Sequence, residues 1–276
     1  MQNTISTQRR TYHAFFSVCV VFSLSSATVF AQTRPPALMG LEKQGVVIVG
    51  SLPSSGGLHA WAAYSGQHPI ALYETPDGKH VIAGTMFDAA GKDVNHGALE
   101  KLVTKPMADV IWGQLEHSRW IADGSNKAPR TVYVFTDPNC PYCNKFWSDA
   151  RPWVDAGKVQ LRHIMVGILT PTSRGKAAAL LNDKNPGKLL ESYERNQVAS
   201  TTKTLASGRP KALADNGLTP LADIPAPIQA QLESNEKLMH ALGAQATPAI
   251  VWRDAQGKVQ TQVGIPAELQ DVFGPQ

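Results

Sequence analysis

The alternation of apolar and polar positions changes along the chain, and each change predicts a different kind of element. Ala14 to Leu24 is a mostly apolar run bracketed by polar residues. From about Leu41 to Val94 the pattern is strand-like. Gly45–Val49 is β-branched and apolar, and Ile70–Tyr73 and His80–Met86 flank Thr75-Pro76-Asp77-Gly78. In that turn proline presets one angle and glycine supplies a positive φ. Asp88–Gly91 closes another turn. An antiparallel sheet this small has a thin core, so one of its faces must be covered by something else.

Between Asn95 and Asp123 the rhythm becomes helical. Met107, Ile111 and Leu115 recur at every fourth position, with Val110 beside them. Pro106 should kink or interrupt the segment near its start, and Asp123-Gly124 is the stop. Such a helix either connects two sheet-containing regions or packs inside one continuous domain. From Pro129 onward strands and helices alternate. Arg130–Phe135 reads as a strand, Pro141 to about Asp155 as a helix, and Lys158–Val166 as the next strand. A mainly helical region, broken by Pro210 and Pro220, reaches Leu242. Two short strands, Ala249–Arg253 and Lys258–Val263, follow around Asp254–Gly257, and a last helix begins near Pro266.

Composition alters this picture at one end only. The 276 residues are 43% hydrophobic and 17% charged, a globular balance, and a formal charge of +4 gives no reason to expect nucleic acid as a partner. Arg9 and Arg10, the lack of any acidic residue before Glu42, the apolar run and the small residues at Val29 and Ala31 together predict a cleaved signal peptide, Met1–Ala31. The apolar run is too short to span a bilayer, and the polar stretch Ser25-Ser26-Ala27-Thr28 opposes the alternative of a short anchor. Cleavage would take the charge from +4 to about +2 and remove Cys19, one of three cysteines. What remains is Cys140 and Cys143. An exported chain with one Cys-x-x-Cys pair is not a disulfide-stapled scaffold.

Thiol exchange needs one sulfur that is exposed and easily ionised, and a second nearby to resolve the mixed disulfide. Strand, turn, Cys140-Pro141-Tyr142-Cys143 and helix supply both. Pro141 suits the first helical position, which puts Cys140 at the N-cap, where unpaired amides and the helix dipole favour a thiolate. Cys143, Trp147, Ala150 and Val154 share one helical face, so the second sulfur should turn toward the core. Cys140 then attacks and Cys143 resolves. Other readings stand beside this one. A structural disulfide closing so short a loop would contribute only about 2 kcal/mol; zinc would need two further ligands; and two inert cysteines could share this spacing by chance. The motif itself calls for no cofactor and no metal. Farther along, Thr247-Pro248 places a proline just before a strand. A cis bond there would bring backbone against the dithiol without offering an N–H; an ordinary trans proline opening a strand is the alternative.

The stretch Phe135–Trp147, with Arg151–Arg162, Thr75–His80, Asp215–Leu242 (including Ser234–Met239) and Ala246–Ala249, resembles the DsbC/DsbG family of periplasmic thiol:disulfide interchange proteins over nearly all of the chain after residue 31. One branch of that family has glycine after the first cysteine, and Pro141 favours the other. The resemblance implies a fold of mixed α+β and α/β class. Residues 32–94 would form a small cystatin-like antiparallel β dimerisation domain, residues 95–125 a linker helix, and residues 126–276 a thioredoxin-like catalytic domain with a helical insert. Two chains would form a V-shaped homodimer with both dithiols facing a cleft. Thr247–Pro248 would be cis, with Thr247 beside Cys140 and tuning it. Partners would be oxidised or misfolded periplasmic proteins, with disulfides or sulfenic acids as targets and the inner-membrane reductase DsbD as electron donor. Asn139 and Asn144 depart from the family pattern where they flank the dithiol, which bears on the acidity of Cys140 and on substrate contacts. Gln197–Leu221 follows the family loosely.

Two rival activities stand beside this one, the first using the same sulfurs and the second making the dithiol secondary. A net oxidant would donate disulfides and rest mainly oxidised. A chaperone-type binder would suppress aggregation even with Cys140 replaced.

Overall fold

The computed structural model describes residues 35–213 and 217–275. The expected signal peptide with Cys19, and Asp215 where one matched segment begins, lie outside the described residues. A short helix, α1 (Pro36–Lys43), comes first, with proline in its opening turn where a missing N–H costs nothing. Two turns are too few for an apolar period to show, so this helix is invisible in the pattern.

An antiparallel meander follows: β1 (Val47–Ser55), β2 (Leu58–Ser65), β3 (His68–Glu74) and β4 (Val81–Ala83). Gly78, at φ +67°, completes the turn between β3 and β4, and its N–H donates to the Thr75 carbonyl at 2.9 Å. Both faces of this sheet are covered. Trp61 and Ala63 of β2 pack with Leu38 of α1 on one side, while Ala60, Ala62 and Tyr64 point to the other.

That other side meets α2 (His96–His117), which runs as one helix through Pro106. The proline removes a backbone donor, yet Val103, Met107, Ala108, Ile111 and Leu115 on both sides of it are all buried. Burial of that stripe holds the helix together where propensity alone would have broken it. Val110 departs from the reading and stays 48% exposed. The helix also ends earlier than its pattern suggests. Ser118 is extended, and Trp120–Asp123 becomes a strand, β5. Four residues carry no legible period; β5 exists because it pairs with a strand some forty residues later.

The second sheet is completed by β6 (Arg130–Thr136), then α3 (Pro141–Asp149) and α4 (Arg151–Asp155), then β7 (Val159–Met165). Three helices, α5 (Ser173–Asn182), α6 (Pro186–Ala206) and α7 (Ala226–Ala241), precede β8 (Ala249–Arg253), β9 (Val259–Val263) and α8 (Leu269–Phe273). Strand order is β5-β7-β6-β8-β9, with β6 and β7 parallel and the remaining pairs antiparallel. The single helix expected from Pro141 to Asp155 is two, because Pro152 cannot donate to the ladder and α4 restarts after Ala150.

Alternation along β6 builds two cores. Val132 and Val134 pack with Phe146, Trp153 and Phe273 beneath α3, α4 and α8. Tyr133 and Phe135 face the opposite way, into a core shared with α2, Met239 of α7 and the first sheet. Residues 35–276 accordingly form one compact unit. Gln67, at the β2–β3 turn, adds a polar tie by donating to the Leu242 carbonyl and to Thr261 Oγ1, both at 3.1 Å. Among the described residues no helix is long and apolar enough to cross a membrane.

One part-buried ion pair ties α4 to the sheet. Arg151 Nη1 donates to Asp123 Oδ1 at 3.0 Å and its Nη2 to Oδ2, while His163 Nε2 lies 3.5 Å from Oδ2. Burial alone would raise the Asp123 carboxyl, but His163 and Arg151 together outweigh it and bring the group down to about 2. A carboxyl held below its unfolded value of 3.8 stabilises the fold above that value and ceases to do so as pH falls from about 4 to about 2. The contribution is about 2 kcal/mol. Asp123→Asn should therefore lower stability at neutral pH by about that amount and flatten the acid limb of a denaturation-versus-pH curve between about pH 4 and 2. An unchanged acid limb would remove the pair from this role.

Candidate active site

The dithiol sits where β6 hands over to α3. Cys140 is the N-cap of α3 with extended backbone, and Pro141 is the first helical residue. The Cys143 N–H donates to Cys140 Sγ at 3.2 Å, so the cysteine sulfur does for this helix what a serine or aspartate oxygen does elsewhere. Both sulfurs are free thiols. Cys143, Trp147, Ala150 and Val154 are all buried, as their shared face required.

Across from α3, the Thr247–Pro248 peptide bond is cis and leads into β8. Cys140 Sγ donates to the Thr247 carbonyl at 3.4 Å. Among the described residues the buried Thr247 hydroxyl has no other partner, which leaves it to donate to the same sulfur when that sulfur is ionised. All four residues singled out in the sequence, Cys140, Cys143, Thr247 and Pro248, thus meet at one place despite a separation of more than a hundred residues.

The two sulfurs differ as the helix position predicts. A hydrogen bond from the Cys143 thiol is the largest influence on Cys140. With the Thr247 hydroxyl and the Cys143 amide it holds the Cys140 thiol below its ordinary value, against the opposing effects of burial and of the Asp137 charge. Burial pushes the Cys143 thiol well above its ordinary value, and the adjacent Cys140 sulfur adds to the rise. In one respect the expectation fails. Cys140 is only 2% exposed, because its sulfur is folded back toward the Cys143 amide and the Thr247 carbonyl. Tyr142, between the cysteines, is instead 45% exposed. Access to the sulfur is through a groove of about 300 Å³ bordered by Tyr142, Leu169, Lys211 and Thr247.

A polar network beneath the loop was not legible as such. Asp137 is buried and accepts four hydrogen bonds, from the Asn139 amide and Ser173 hydroxyl on Oδ1 and from the Ile168 and Leu169 amides on Oδ2, all between 2.8 and 2.9 Å. Asn139 donates to Thr170, Thr172 and Ser173, and its Oδ1 accepts from the fully buried Lys176 ammonium at 2.5 Å. Lys176 also donates to the Tyr193 hydroxyl, which donates to the Pro138 carbonyl at 2.8 Å. On the next helical turn Asn144 donates to both the carbonyl and Oε2 of buried Glu194, whose carboxyl burial pushes up despite that bond. Asn139 and Asn144 thus hold internal partners, while Asn139 also borders the groove that reaches Cys140. The only local signal was the turn-forming Asp137-Pro138-Asn139 ahead of the cysteine.

A mixed sheet with a free dithiol at the start of the helix that follows its central strand, opposite a cis-proline loop, defines a dithiol protein of the thioredoxin-like class. The thioredoxin-like domain family matches residues 121–270. Two relatives are both named thiol:disulfide interchange protein DsbG. The one from Pseudomonas aeruginosa is 47% identical over 247 residues, 89% of this chain and 90% of its own. The one from Escherichia coli is 38% identical over 251 residues, 90% of this chain and 93% of its own. The chain belongs to the DsbG family of thiol:disulfide interchange proteins. Among solved structures, Helicobacter pylori DsbG is matched over 78% of this chain and 98% of its own at 18% identity, with a TM-score of 0.38.

Proposed function

We propose that this protein exchanges thiols and disulfides in the periplasm, reducing or isomerising oxidised cysteines of other proteins through Cys140 and Cys143. The observation that carries the reading is the asymmetry of the pair: one sulfur capped by a helix amide and held acidic, the other buried and held protonated. The Cys140 thiolate attacks a substrate disulfide, forms a mixed disulfide and expels the second substrate sulfur as a thiolate. A substrate thiol can then displace Cys140, which completes isomerisation. Otherwise Cys143 loses its proton and attacks Cys140, which frees the substrate thiol and leaves Cys140–Cys143 oxidised by two electrons. With a sulfenic acid the first step expels hydroxide, which leaves as water after taking a proton, and the second is the same.

The Thr247 carbonyl and hydroxyl serve the thiol and thiolate forms in turn, and Pro248 keeps a backbone N–H from competing for the sulfur. The first sheet and α2 are read as the dimerisation and linking parts, with a reductase of the inner-membrane DsbD kind returning electrons to Cys143. Export rests on the basic and apolar opening segment and on the lack of cysteines beyond this pair after it.

Cys143→Ser tests the sequence of events. With the resolving sulfur gone, mixed disulfides on Cys140 should accumulate and be recoverable from a periplasmic extract as reducible adducts, while Cys140→Ser yields none. Equal recovery from both variants would end this reading. Acid-quenched thiol trapping in the native host should find the pair mainly reduced; a mainly oxidised pair would make the protein a net oxidant.

A further inference from the structure

The segment after α6 is fastened once to α6 itself and once to the dithiol loop. The Lys211 N–H donates to Thr204 Oγ1 of α6 at 2.8 Å, and the Leu213 N–H donates to the Asn139 carbonyl, one residue before Cys140, at 3.0 Å. Around these anchors Pro210, Lys211 and Ala212 line the same groove as Cys140. Tyr142, Ala246 and Thr247 line this groove and also a larger one of about 540 Å³, whose other residues include Leu205, Val263 and Ile265. Together the two make a continuous trough past the sulfur, with room for side chains on both sides of an incoming cysteine.

Charge along the trough is one-sided. Among the described residues lining it, Lys145 and Lys211 are charged and there is no carboxylate. Lys145 is engaged by Asp149 at 2.7 Å. Lys211 has no acidic partner among the described residues, and neither have exposed Lys203 and Arg209 before it in sequence. Among the described residues, Asp137 is committed to four donors, Glu236 to Arg174 and Glu194 to Asn144.

Resting on the thiol-exchange reading above, we propose that this trough selects oxidised cysteines that lie beside an acidic residue. An extended substrate segment sets its cysteine over Cys140, an adjacent aspartate or glutamate meets Lys211, and an apolar neighbour on the far side enters the groove lined by Leu205, Val263 and Ile265. A cation at the rim attracts such segments over distance and holds them weakly on contact.

The test uses the pre-reduced full-length protein and short peptides whose single cysteine is joined to thionitrobenzoate. Each peptide keeps leucine on one side of the cysteine and carries aspartate, serine or lysine on the other, in both orientations. Cys140 bonds to the peptide sulfur, and thionitrobenzoate leaves with the electron pair of the broken bond and is read by its absorbance. Rates are divided by those of the same peptides with dithiothreitol, which removes differences in intrinsic reactivity. In at least one orientation the aspartate peptide should react about fivefold faster than the lysine peptide. That ratio should collapse at about 1 M salt, where the screening length is about 3 Å. Lys211→Glu should invert the order, whereas Lys158→Glu, the same charge change just before β7 at the opposite end of the sheet, should preserve it. Equal normalised rates, or an aspartate preference that survives Lys211→Glu, would overturn the proposal. Release from no peptide would sink the thiol-exchange reading and the proposal with it.

Discussion

Cys140→Ser should reduce thiol exchange to the uncatalysed background, and alkylation of the unaltered protein should show why. A serine hydroxyl in this place is neither appreciably ionised nor able to form a disulfide, so no neighbouring group can restore the reaction. In the reduced protein, the bond from the Cys143 thiol, the Thr247 hydroxyl and the helix amide all favour the Cys140 thiolate. Iodoacetamide should therefore modify Cys140 first. Its rate there should fall off at a lower pH than that of an ordinary cysteine thiol, as pH passes below the depressed value. Cys143 should stay slow past pH 9, because burial raises its thiol well above that. Mass spectrometry of the alkylated peptides at several pH values reads both sulfurs separately. Equal labelling of the two, or faster labelling of Cys143, would reverse the roles given to them.

The second large effect is on stability. Lys176→Ala should destabilise the protein by about 4 kcal/mol, since it leaves a cavity and withdraws a donor from groups that water cannot reach. The ammonium is fully buried and bonded to Asn139 Oδ1 and the Tyr193 hydroxyl, so its loss bears directly on the turn that carries Cys140. Lys176→Met restores most of the volume but not the donor, and should recover about half of the loss. Denaturant midpoints for the three proteins measure the two parts. If alanine cost under about 1 kcal/mol, the network would have no bearing on the loop. A full rescue by methionine would make packing, not hydrogen bonding, the cause.

The site itself was largely written in local sequence. A strand of Val132, Tyr133, Val134 and Phe135, a turn, a proline at the first helical position and two cysteines one turn apart determine that one sulfur caps a helix and the other faces inward. These consequences follow from backbone geometry within about a dozen residues, so they could be read before any packing was known. The stripe of Met107, Ile111 and Leu115 was legible for the same reason, because a repeated spacing records which face of a helix is buried.

What tertiary structure decided is which polar groups go inside and which short segments become strands. Trp120–Asp123 has no period to reveal it and is a strand only because β7 offers it an edge. Asn139, Asn144, Lys176 and Glu194 are polar or charged, and nothing in their local sequence marks them as buried. They are buried because partners from distant segments, Ser173, Tyr193 and each other, satisfy them. Burying a polar group is costly alone and tolerable when paired, so its location depends on a partner that no local window contains. The same holds for access to Cys140. Sequence determined that this sulfur would cap a helix; the meeting of the Thr247 loop with residues 210–212 decided from which side it can be reached.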